Sequence, residues 1–234
     1  MAKIVVVTKS LNEERNIAAF CDGHSFADAI LIADGGSTDR TVEIAKKFDK
    51  VAVRNFHLRI KVLGDPAGFM NPEPQHINFL IDWATGEGAD WIILDGCDCW
   101  PNPRLKRDAR CILEETEEPA VHLHRLYIWG TDQYFPKMNT SHSLWAWRPS
   151  GIEIRYEEGG EKKSCFDAKM AGVNARLARK IDFPYCCLHY FAPDEETVSK
   201  KLARYAAWGH PQVHPLKGIY APPESLPSWA TEEV

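Results

Sequence analysis

The sequence lacks the two glycine-rich motifs that most often mark a nucleotide-binding strand end. No Gly-x-Gly-x-x-Gly lies between the first apolar run and the helix expected after it, and no Gly-x-x-x-x-Gly-Lys-Ser/Thr is present. The first motif lets a backbone approach a dinucleotide, and the second cradles phosphates on backbone N–H groups. The sequence therefore indicates neither a dinucleotide-binding fold nor a P-loop.

Long apolar runs and an excess of positive charge are also missing. No stretch approaches the roughly 20 apolar residues of a membrane span, and the opening MAKIVVVTKS has too short an apolar run for a signal peptide. We therefore expect a cytoplasmic protein. The formal net charge is -5 and the pI about 6.0, which does not favour nucleic acid or an anionic membrane as a partner. The net charge does not exclude a local basic groove.

The cysteines show no disulfide framework. There are seven, an odd number at irregular spacings, which fits reduced thiols better than paired ones. Three close pairs consist of residue types that bind zinc: Cys97 and Cys99, Cys186 and Cys187, and His122 and His124. None has the Cys-x2-Cys spacing of a structural zinc site, so we do not predict one.

Strand and helix patterns alternate in the first half of the chain. Strands are predicted at Lys3 to Val7, Ile30 to Ala33, Val51 to Val53 and Trp91 to Leu94, and helices at Ser10 to Phe20, Thr38 to Phe48 and Gln75 to Ala84. The first helix is expected to start at Ser10 because Ser10 and Glu13 form a capping-box pattern. The alternation predicts right-handed βαβ units, an α/β fold and a mostly parallel sheet flanked by helices.

The second half is less regular. The segment 122–156 is rich in aromatic residues and is predicted to be β-rich, and YCCLHYF is predicted to be a strand before a helix in PDEETVSKKLARYAAW. We expect one domain over residues 1–209, with halves at 1–115 and 116–209. The proline-rich tail, 210–234, is expected to wrap the surface or to be partly disordered.

Acidic clusters follow three of the predicted strands, at TKSLNEE, DGGSTD and DGCDCW. Ligands of parallel sheets collect at the carboxyl ends of the strands, so one crevice is expected to gather all three clusters. An acid such as Asp34 can accept hydrogen bonds from a nucleobase or ribose, and a pair such as Asp95 and Asp98 can hold a divalent cation. The alternative is that Asp34 and Asp39 only cap the turn and the next helix.

These segments carry a resemblance to a known family. IVVVTKSLNEERNI, ILIADGGSTDRTVEIAKKF and ADWIILDGCDCWPNPRL together resemble family 2 glycosyltransferases of the GT-A fold. In that family a first strand is followed by Tyr-Asn-Glu-Glu, then come the block Asp-Asp/Ser-Gly-Ser-Thr-Asp-x-Thr and a strand followed by Asp-x-Asp. The three motifs occur in order within residues 1–115. QHINFLIDWATGEGADWIILD and LHYFAPDEETVSKKLARY are similar to the branch that glycosylates lipopolysaccharide core.

The resemblance implies an inverting glycosyltransferase with a nucleoside-diphosphate sugar as donor, a UDP-sugar being expected, and a hydroxyl acceptor such as a glycan or a lipid-linked glycan. By position, the nucleotide-sugar site would include Lys9, Leu11, Glu13, Asp34 and Asp95. Mn²⁺ or Mg²⁺ would be held by Asp95, Asp98 and His189 and would stabilise the diphosphate leaving group. Taken without the resemblance, His189 is more often a hydrogen-bonded core histidine than a metal ligand.

The chain departs from the family pattern in two ways. Cys97 stands where the second metal-site acid is expected, and a thiol is a soft ligand that Mn²⁺ and Mg²⁺ do not favour. Asp98 would take over one residue later. The acid that deprotonates the acceptor hydroxyl has no clear motif, and Asp167 and Glu153 are the candidates.

Some side chains admit a structural and a functional interpretation. Trp145 and Trp147 alternate along a predicted strand and are expected to share one face, either stacking on the acceptor or closing the core. Basic residues of the late helix, Lys200, Lys201 and Arg204, either reach phosphates or form a solvated face.

Several functions stay open at this point. The acceptor could be a glycan, a lipid-linked glycan reached by peripheral membrane contact, a protein, or a hydroxylated DNA base, although the net charge does not favour nucleic acid. Cys97 and the missing base motif also fit a catalytically weak nucleotide-sugar-binding protein. A sugar-nucleotide pyrophosphorylase is set aside because its glycine-rich loop is absent from TKSLNEERN.

Overall fold

The computed structural model describes residues 1–64, 68–136, 142–150, 154–157, 169–171, 177–192, 194–207 and 223–232. The helices are α1 (Ile17–Gly23), α2 (Thr41–Ala45), α3 (Glu73–Gly86), α4 (Pro103–Glu115) and α5 (Glu195–Ala207), and a 3-10 turn spans Ser228–Ala230. The strands are β1 (Ile4–Ser10), β2 (Ala29–Asp34), β3 (Val51–Asn55), β4 (Ile60–Lys61), β5 (Phe69–Met70), β6 (Trp91–Leu94), β7 (Cys99–Pro101), β8 (Ala120–Trp129), β9 (Gln133–Tyr134), β10 (Ser143–Trp147), β11 (Arg155–Glu157), β12 (Lys169–Ala171), β13 (Ala178–Ala192) and β14 (Glu224–Ser225).

A mixed sheet organises the molecule in the order β14-β9-β8-β10-β6-β1-β2-β3, with β13 and β7 attached through β8. The strands β3, β2, β1 and β6 are parallel, and β10 runs antiparallel between β6 and β8. The predicted α/β fold with a parallel core sheet is therefore confirmed. The carboxyl ends of β1, β2 and β6 lie at one edge.

Each face of the central sheet packs against helices. One face, with Ile4, Val6 and Ile93, packs with residues of α1 and α4, and the other, with Val5 and Val7, packs with α3. Apolar residues therefore follow each other without polar alternation in β1 and β6, as in strands buried on both faces. Burying each such side chain contributes about 1.5–3 kcal/mol.

The capping-box prediction is wrong. Ser10 is the last residue of β1, its hydroxyl donates to Asp34 at 2.9 Å, and α1 begins only at Ile17. Glu13 instead accepts a hydrogen bond from the Asn16 side chain at 2.8 Å. The Ser10 hydroxyl is engaged across the sheet edge, so the chain makes a turn before the helix starts.

Part of the tail returns to the sheet, because β14 pairs antiparallel with β9. Ala230, in the following 3-10 turn, is buried in a cluster with Ile128 and Leu188. The expected boundary at residues 209 and 210 lies outside the described residues.

Candidate active site

The loops after β1, β2 and β6 meet at the carboxyl edge of the sheet. The Glu13 N–H donates to Thr41 Oγ1 at 2.7 Å, which ties the first loop to the second. The Cys97 thiol donates to the carbonyl oxygen of Lys9 at 3.3 Å, which ties the third loop to the first. The parallel register explains this meeting, since neighbouring parallel strands end at the same edge.

Asp34 is buried at the end of β2, and its carboxylate accepts hydrogen bonds from the turn that follows it. Its carboxylate accepts hydrogen bonds from the Ser10 hydroxyl, the Gly36 N–H and the Ser37 N–H, each at 2.9 Å, and from the Ser37 hydroxyl. Asp39 accepts from the N–H of the first residue of α2 at 3.0 Å. Both acids therefore have the capping contacts of the structural alternative, and nucleobase recognition by Asp34 stays a prediction.

The two glycines of this turn lie under side chains from the segment around β4 and β5. A Cβ on Gly35 would lie 2.0 Å from Asn71 Oδ1, and one on Gly36 would lie 1.8 Å from an Arg59 guanidinium nitrogen. Gly36 also has φ +103°, which favours glycine. The Arg59 guanidinium stacks 4.3 Å from the Phe69 ring centre. A positive charge that the sequence did not single out therefore stands over the acidic turn.

Asp95 is the centre of a buried charge cluster. Its side chain has no exposed surface, one oxygen lies 2.9 Å from an Arg125 guanidinium nitrogen, and the other lies 3.3 Å from His24 Nε2. Burial alone would raise the pKa of Asp95, but His24 and Arg125 hold it below the usual value. Both oxygens already have partners, so the expected contacts with ribose and cation stay predictions.

Asp98 lies three residues later in a second cluster, with His189 and Lys201. Its Oδ2 is 2.7 Å from Lys201 Nζ and 3.4 Å from His189 Nε2. Burial would raise the pKa of Asp98, but His189 and Lys201 together hold it far below its usual range. Pairing of β13 with β7, which sets His189 opposite Cys99, brings these distant residues together.

The expected metal-ligand set of Asp95, Asp98 and His189 is brought together only in part. Asp98 and His189 are neighbours, but among the described residues these three do not form a group with all ligand atoms within 4.8 Å of one another. Asp95 instead joins Cys99 and Cys187 within that distance. Burial raises the pKa of Cys187 well above its usual value, and Arg125 already neutralises Asp95. That buried, thiol-rich group does not suit Mn²⁺ or Mg²⁺.

The Cys97 thiol is buried against the first loop. Its side chain is buried, its Sγ lies 3.4 Å from Thr8 Oγ1 and donates to the Lys9 carbonyl, and burial raises its pKa well above the usual value. A protonated, inward-facing thiol is not a ligand for Mn²⁺ or Mg²⁺.

The residues expected to line the nucleoside lie in the first loop. Lys9 forms an ion pair with Glu73 at the start of α3. Leu11 and Glu13 are half-buried. These positions place all three at the carboxyl edge, and their contact with a nucleoside stays a prediction.

The expectation that Trp145 and Trp147 share a face is wrong. A register shift between Leu144 and Ala146 interrupts the alternation of β10, and the two tryptophans belong to different core clusters, each 1% exposed. The core interpretation is therefore confirmed for both. The candidate bases Glu153 and Asp167 lie outside the described residues.

Sequence reasoning missed His24 and Arg125. Arg125 could have been found because it is a cation within the largely apolar strand β8. A buried cation needs an acid nearby, so its position indicates an ion pair. Lys200 pairs with Glu196 at 2.6 Å on the surface of α5, and both side chains are more than two-thirds exposed, as the solvated-face alternative expects. Its neighbour Lys201 reaches Asp98 instead.

No helix in the described part of the chain is long and apolar enough to cross a membrane. The described cysteines, Cys21, Cys97, Cys99, Cys111, Cys186 and Cys187, are free thiols.

Solved structures with a similar fold match at low sequence identity. The S. aureus TarS fragment 1-349 matches with TM-score 0.54 and 14% identity over 88% of this chain and 65% of that one. Glucosyl-3-phosphoglycerate synthase from Mycobacterium tuberculosis, in complex with Mn²⁺, UDP and phosphoglyceric acid, matches with TM-score 0.50 and 16% identity over 97% of this chain and 87% of that one. The chain thus spans less than two thirds of the TarS fragment.

A comparison with curated protein sequences finds no match. The model of the family described as glycosyl transferase family 2 matches residues 6–182, which include the polar clusters that follow β1, β2 and β6 and the cluster residue Arg125. The chain belongs to glycosyl transferase family 2.

Proposed function

We propose that the chain transfers a sugar from a nucleoside-diphosphate sugar, with a UDP-sugar as the expected donor, to a hydroxyl group of a glycan or lipid-linked glycan, with inversion at the anomeric carbon. The observation that carries the proposal is the cluster of Asp98, His189 and Lys201 at the carboxyl edge of the sheet. Family membership supports it, and the TarS fragment has been crystallised with UDP.

The cluster suits a divalent cation. Asp98 Oδ2 and His189 Nε2 are 3.4 Å apart, close to the separation of about 3 Å between neighbouring ligands of an octahedral ion. Carboxylate oxygen and imidazole nitrogen are both accepted by Mn²⁺. A cation held by these two residues would supply Lewis acidity toward the leaving diphosphate.

Cationic side chains of the chain itself would bind the diphosphate. Lys201 lies against Asp98, and Arg59 lies over the Gly36 turn. Each would neutralise negative charge of the diphosphate without a metal. Asp98 would also position the Lys201 ammonium near the leaving group.

Inversion also requires a carboxylate that removes the proton of the acceptor hydroxyl, and we assign this role to Asp167 or Glu153. General-base catalysis contributes about 10²–10⁴-fold. Asp167→Asn and Glu153→Gln should therefore differ: the variant lacking the base should lose transfer by that factor while it still binds donor, and the other should stay near wild type. If both variants transfer sugar normally, neither residue is the base.

The test of the donor site uses the full chain with a panel of UDP-, GDP- and TDP-sugars, with and without Mn²⁺. We expect binding and slow hydrolysis of a UDP-sugar, with Mn²⁺ increasing the rate. Asp98→Asn should weaken both, whereas the control Asp49→Asn, at an exposed position, should not. Absence of binding across the panel would contradict the proposal.

A second candidate function is nucleotide-sugar binding without turnover, favoured by the inward-facing Cys97. It would be recognised by tight UDP binding with no hydrolysis and no transfer to any hydroxyl acceptor. Transfer to a hydroxylated DNA base would instead require salt-sensitive DNA binding in a gel-shift assay.

Three further sequence-based expectations remain proposals: relationship to the lipopolysaccharide-core branch, a single domain over residues 1–209, and a cytoplasmic location. Transfer to a truncated lipopolysaccharide core would support the first. The domain proposal is tested by limited proteolysis, which should leave residues 1–209 intact.

A further inference from the structure

A group of metal-binding side chains lies away from the acidic loops. His142 Nε2 is 3.0 Å from Asp182 Oδ1, and His124 Nε2 is 3.6 Å from the same oxygen. The two imidazole rings have centroids 4.0 Å apart. One ligand atom from each of the three residues lies within 4.8 Å of the others.

Strands β8 and β13 and the residue just before β10 bring these side chains together. In the antiparallel pairing of β10 with β8, Leu144 is opposite His122 and Ser143 is opposite Leu123, so His142 continues toward His124. On the other side of β8 the register of β13 is interrupted. Ile181 is opposite Leu123 but Cys186 is opposite His124, and the extra residues between them, 182–185, form an irregular segment that begins with Asp182.

Two of the imidazoles at this place, those of His122 and His124, each have a buried nitrogen without a hydrogen-bond partner, whereas His142 Nε2 is hydrogen-bonded to Asp182. The Nδ1 atom of His124 is buried without a partner, and its Nε2 is too far from Asp182 for a hydrogen bond. His122, two residues earlier on the same face of β8, is 7% exposed and has a buried Nε2 without a partner. Buried polar atoms are normally satisfied, so this group of imidazoles is polar but incompletely paired.

Packing already orients one of these rings. The Phe183 ring stacks on His124 with centroids 4.5 Å apart and an interplanar angle of 12°, and Trp229 in turn lies 5.1 Å from Phe183. A ring held in place loses less freedom when it binds an ion, which favours affinity.

We propose that His124, His142 and Asp182 form a binding site for a divalent transition-metal ion, best matched to Zn²⁺. Zinc accepts imidazole nitrogen and carboxylate oxygen at about 2.0–2.2 Å, so two ligands of a tetrahedral zinc lie about 3.3 Å apart. The two distances to Asp182 Oδ1, 3.0 and 3.6 Å, bracket that value. A fourth position is left for water, and Asp182 is 80% exposed. Lys180 lies opposite His122 in the pairing of β13 with β8 and places a positive charge near the site.

The sequence did not predict this site because its ligands are separated by 18 and 40 residues, unlike the short Cys-x2-Cys spacing. It is distinct from the proposed donor site. Successive side chains of a strand point to opposite faces, and Arg125, the next residue after His124, reaches Asp95. The ion would therefore lie on the other face of β8 from that cluster and would join β8, β10 and β13.

The experiment measures binding of Zn²⁺ and Co²⁺ to the full chain after chelation, by calorimetry and by the visible absorption of Co²⁺. We expect one ion per chain that the Asp98→Asn variant still retains, and a higher melting temperature with Zn²⁺, because an ion that binds only the folded state stabilises it. His142→Gln and Asp182→Asn should weaken binding about 100-fold, since even residues behind the ligands change metal affinity 10–100-fold. Asp182 is exposed, so its variant should fold normally, which circular dichroism checks.

Matched controls are His57→Gln and Asp49→Asn, both at exposed positions, and Asp98→Asn, which removes the acid of the proposed donor site. All three should retain the ion. Retention of full affinity by both ligand variants, or no binding of either metal by the wild-type chain, would overturn the proposal. So would a near-ultraviolet thiolate-to-Co²⁺ band, because it would place the ion on cysteines.

Discussion

Replacing Arg125 by methionine should destabilise the protein strongly, because it leaves the Asp95 carboxylate buried with only His24 as a partner. The Asp95 side chain is fully buried and that of Arg125 is 26% exposed, with 2.9 Å between the charged atoms. Removing one partner of such a pair typically costs about 3–5 kcal/mol of the free energy of unfolding. For a chain of this size that corresponds to a fall in melting temperature of roughly 6–20 °C.

Urea unfolding followed by fluorescence measures the loss, and the double variant Arg125→Met with Asp95→Asn supplies the control. Without the carboxylate no charge is left uncompensated, so the double variant should recover at least half of the lost stability. The pKa of Asp95 is lowered in the folded state, so the stability from this pair is present above the unfolded pKa of about 3.9 and is lost as the pH falls through the folded value. The effect of Arg125→Met should therefore shrink in acid. A loss below about 1 kcal/mol near neutral pH, or no recovery in the double variant, would refute the importance of the buried pair.

Three other perturbations have defined outcomes. Gly36→Ala should lower the free energy of unfolding by about 1–3 kcal/mol in urea titrations, because φ is +103° and the Arg59 guanidinium occupies the Cβ position. Burial lowers the pKa of His76 from 6.5 to about 4, so the unfolded chain takes up a proton at a higher pH than the folded chain does. About 3 kcal/mol of the free energy of unfolding should therefore be lost as the pH falls from 6.5 to 4. His76→Gln should flatten that pH dependence. Lys201→Met removes the ammonium that pairs with Asp98, so the pKa of Asp98 should rise and Mn²⁺, measured by electron paramagnetic resonance, should bind about fivefold more tightly.

The central sheet could be predicted from the sequence because its strands are buried on both faces. Trp91 to Leu94 was predicted with the bounds that the structure has, and β1 and β2 with small errors. A short apolar run between polar turns leaves few alternatives to a covered strand. The bounds of the first two helices were predicted less accurately. The structure shortens the second to Thr41–Ala45, since Asp39 and the turn before it take up residues that the periodicity had assigned to the helix.

Contacts between distant residues could not be predicted. Lys201 and Asp98 are 103 positions apart, and Arg125 and Asp95 are 30 apart. No periodicity reports such a pair, because each depends on which strands become neighbours in the sheet. The register shift at Trp145 could not be predicted either. One extra residue in a strand moves the side chains after it to the opposite face of the sheet.

The two acids after β6 look equivalent in the sequence, but the structure gives them different environments. The chain turns after β6, with the Cys99 N–H donating to the Gly96 carbonyl at 2.9 Å. This turn buries Asp95 against Arg125, directs the Cys97 thiol inward to the Lys9 carbonyl, and leaves Asp98 beside His189. Cys97 therefore does not remove an acid from the edge of the sheet, because Asp98 supplies one a residue later. The departure from the family spacing is thus compatible with the proposed donor site, and weaker donor binding by Asp98→Asn is the outcome that we expect from this geometry.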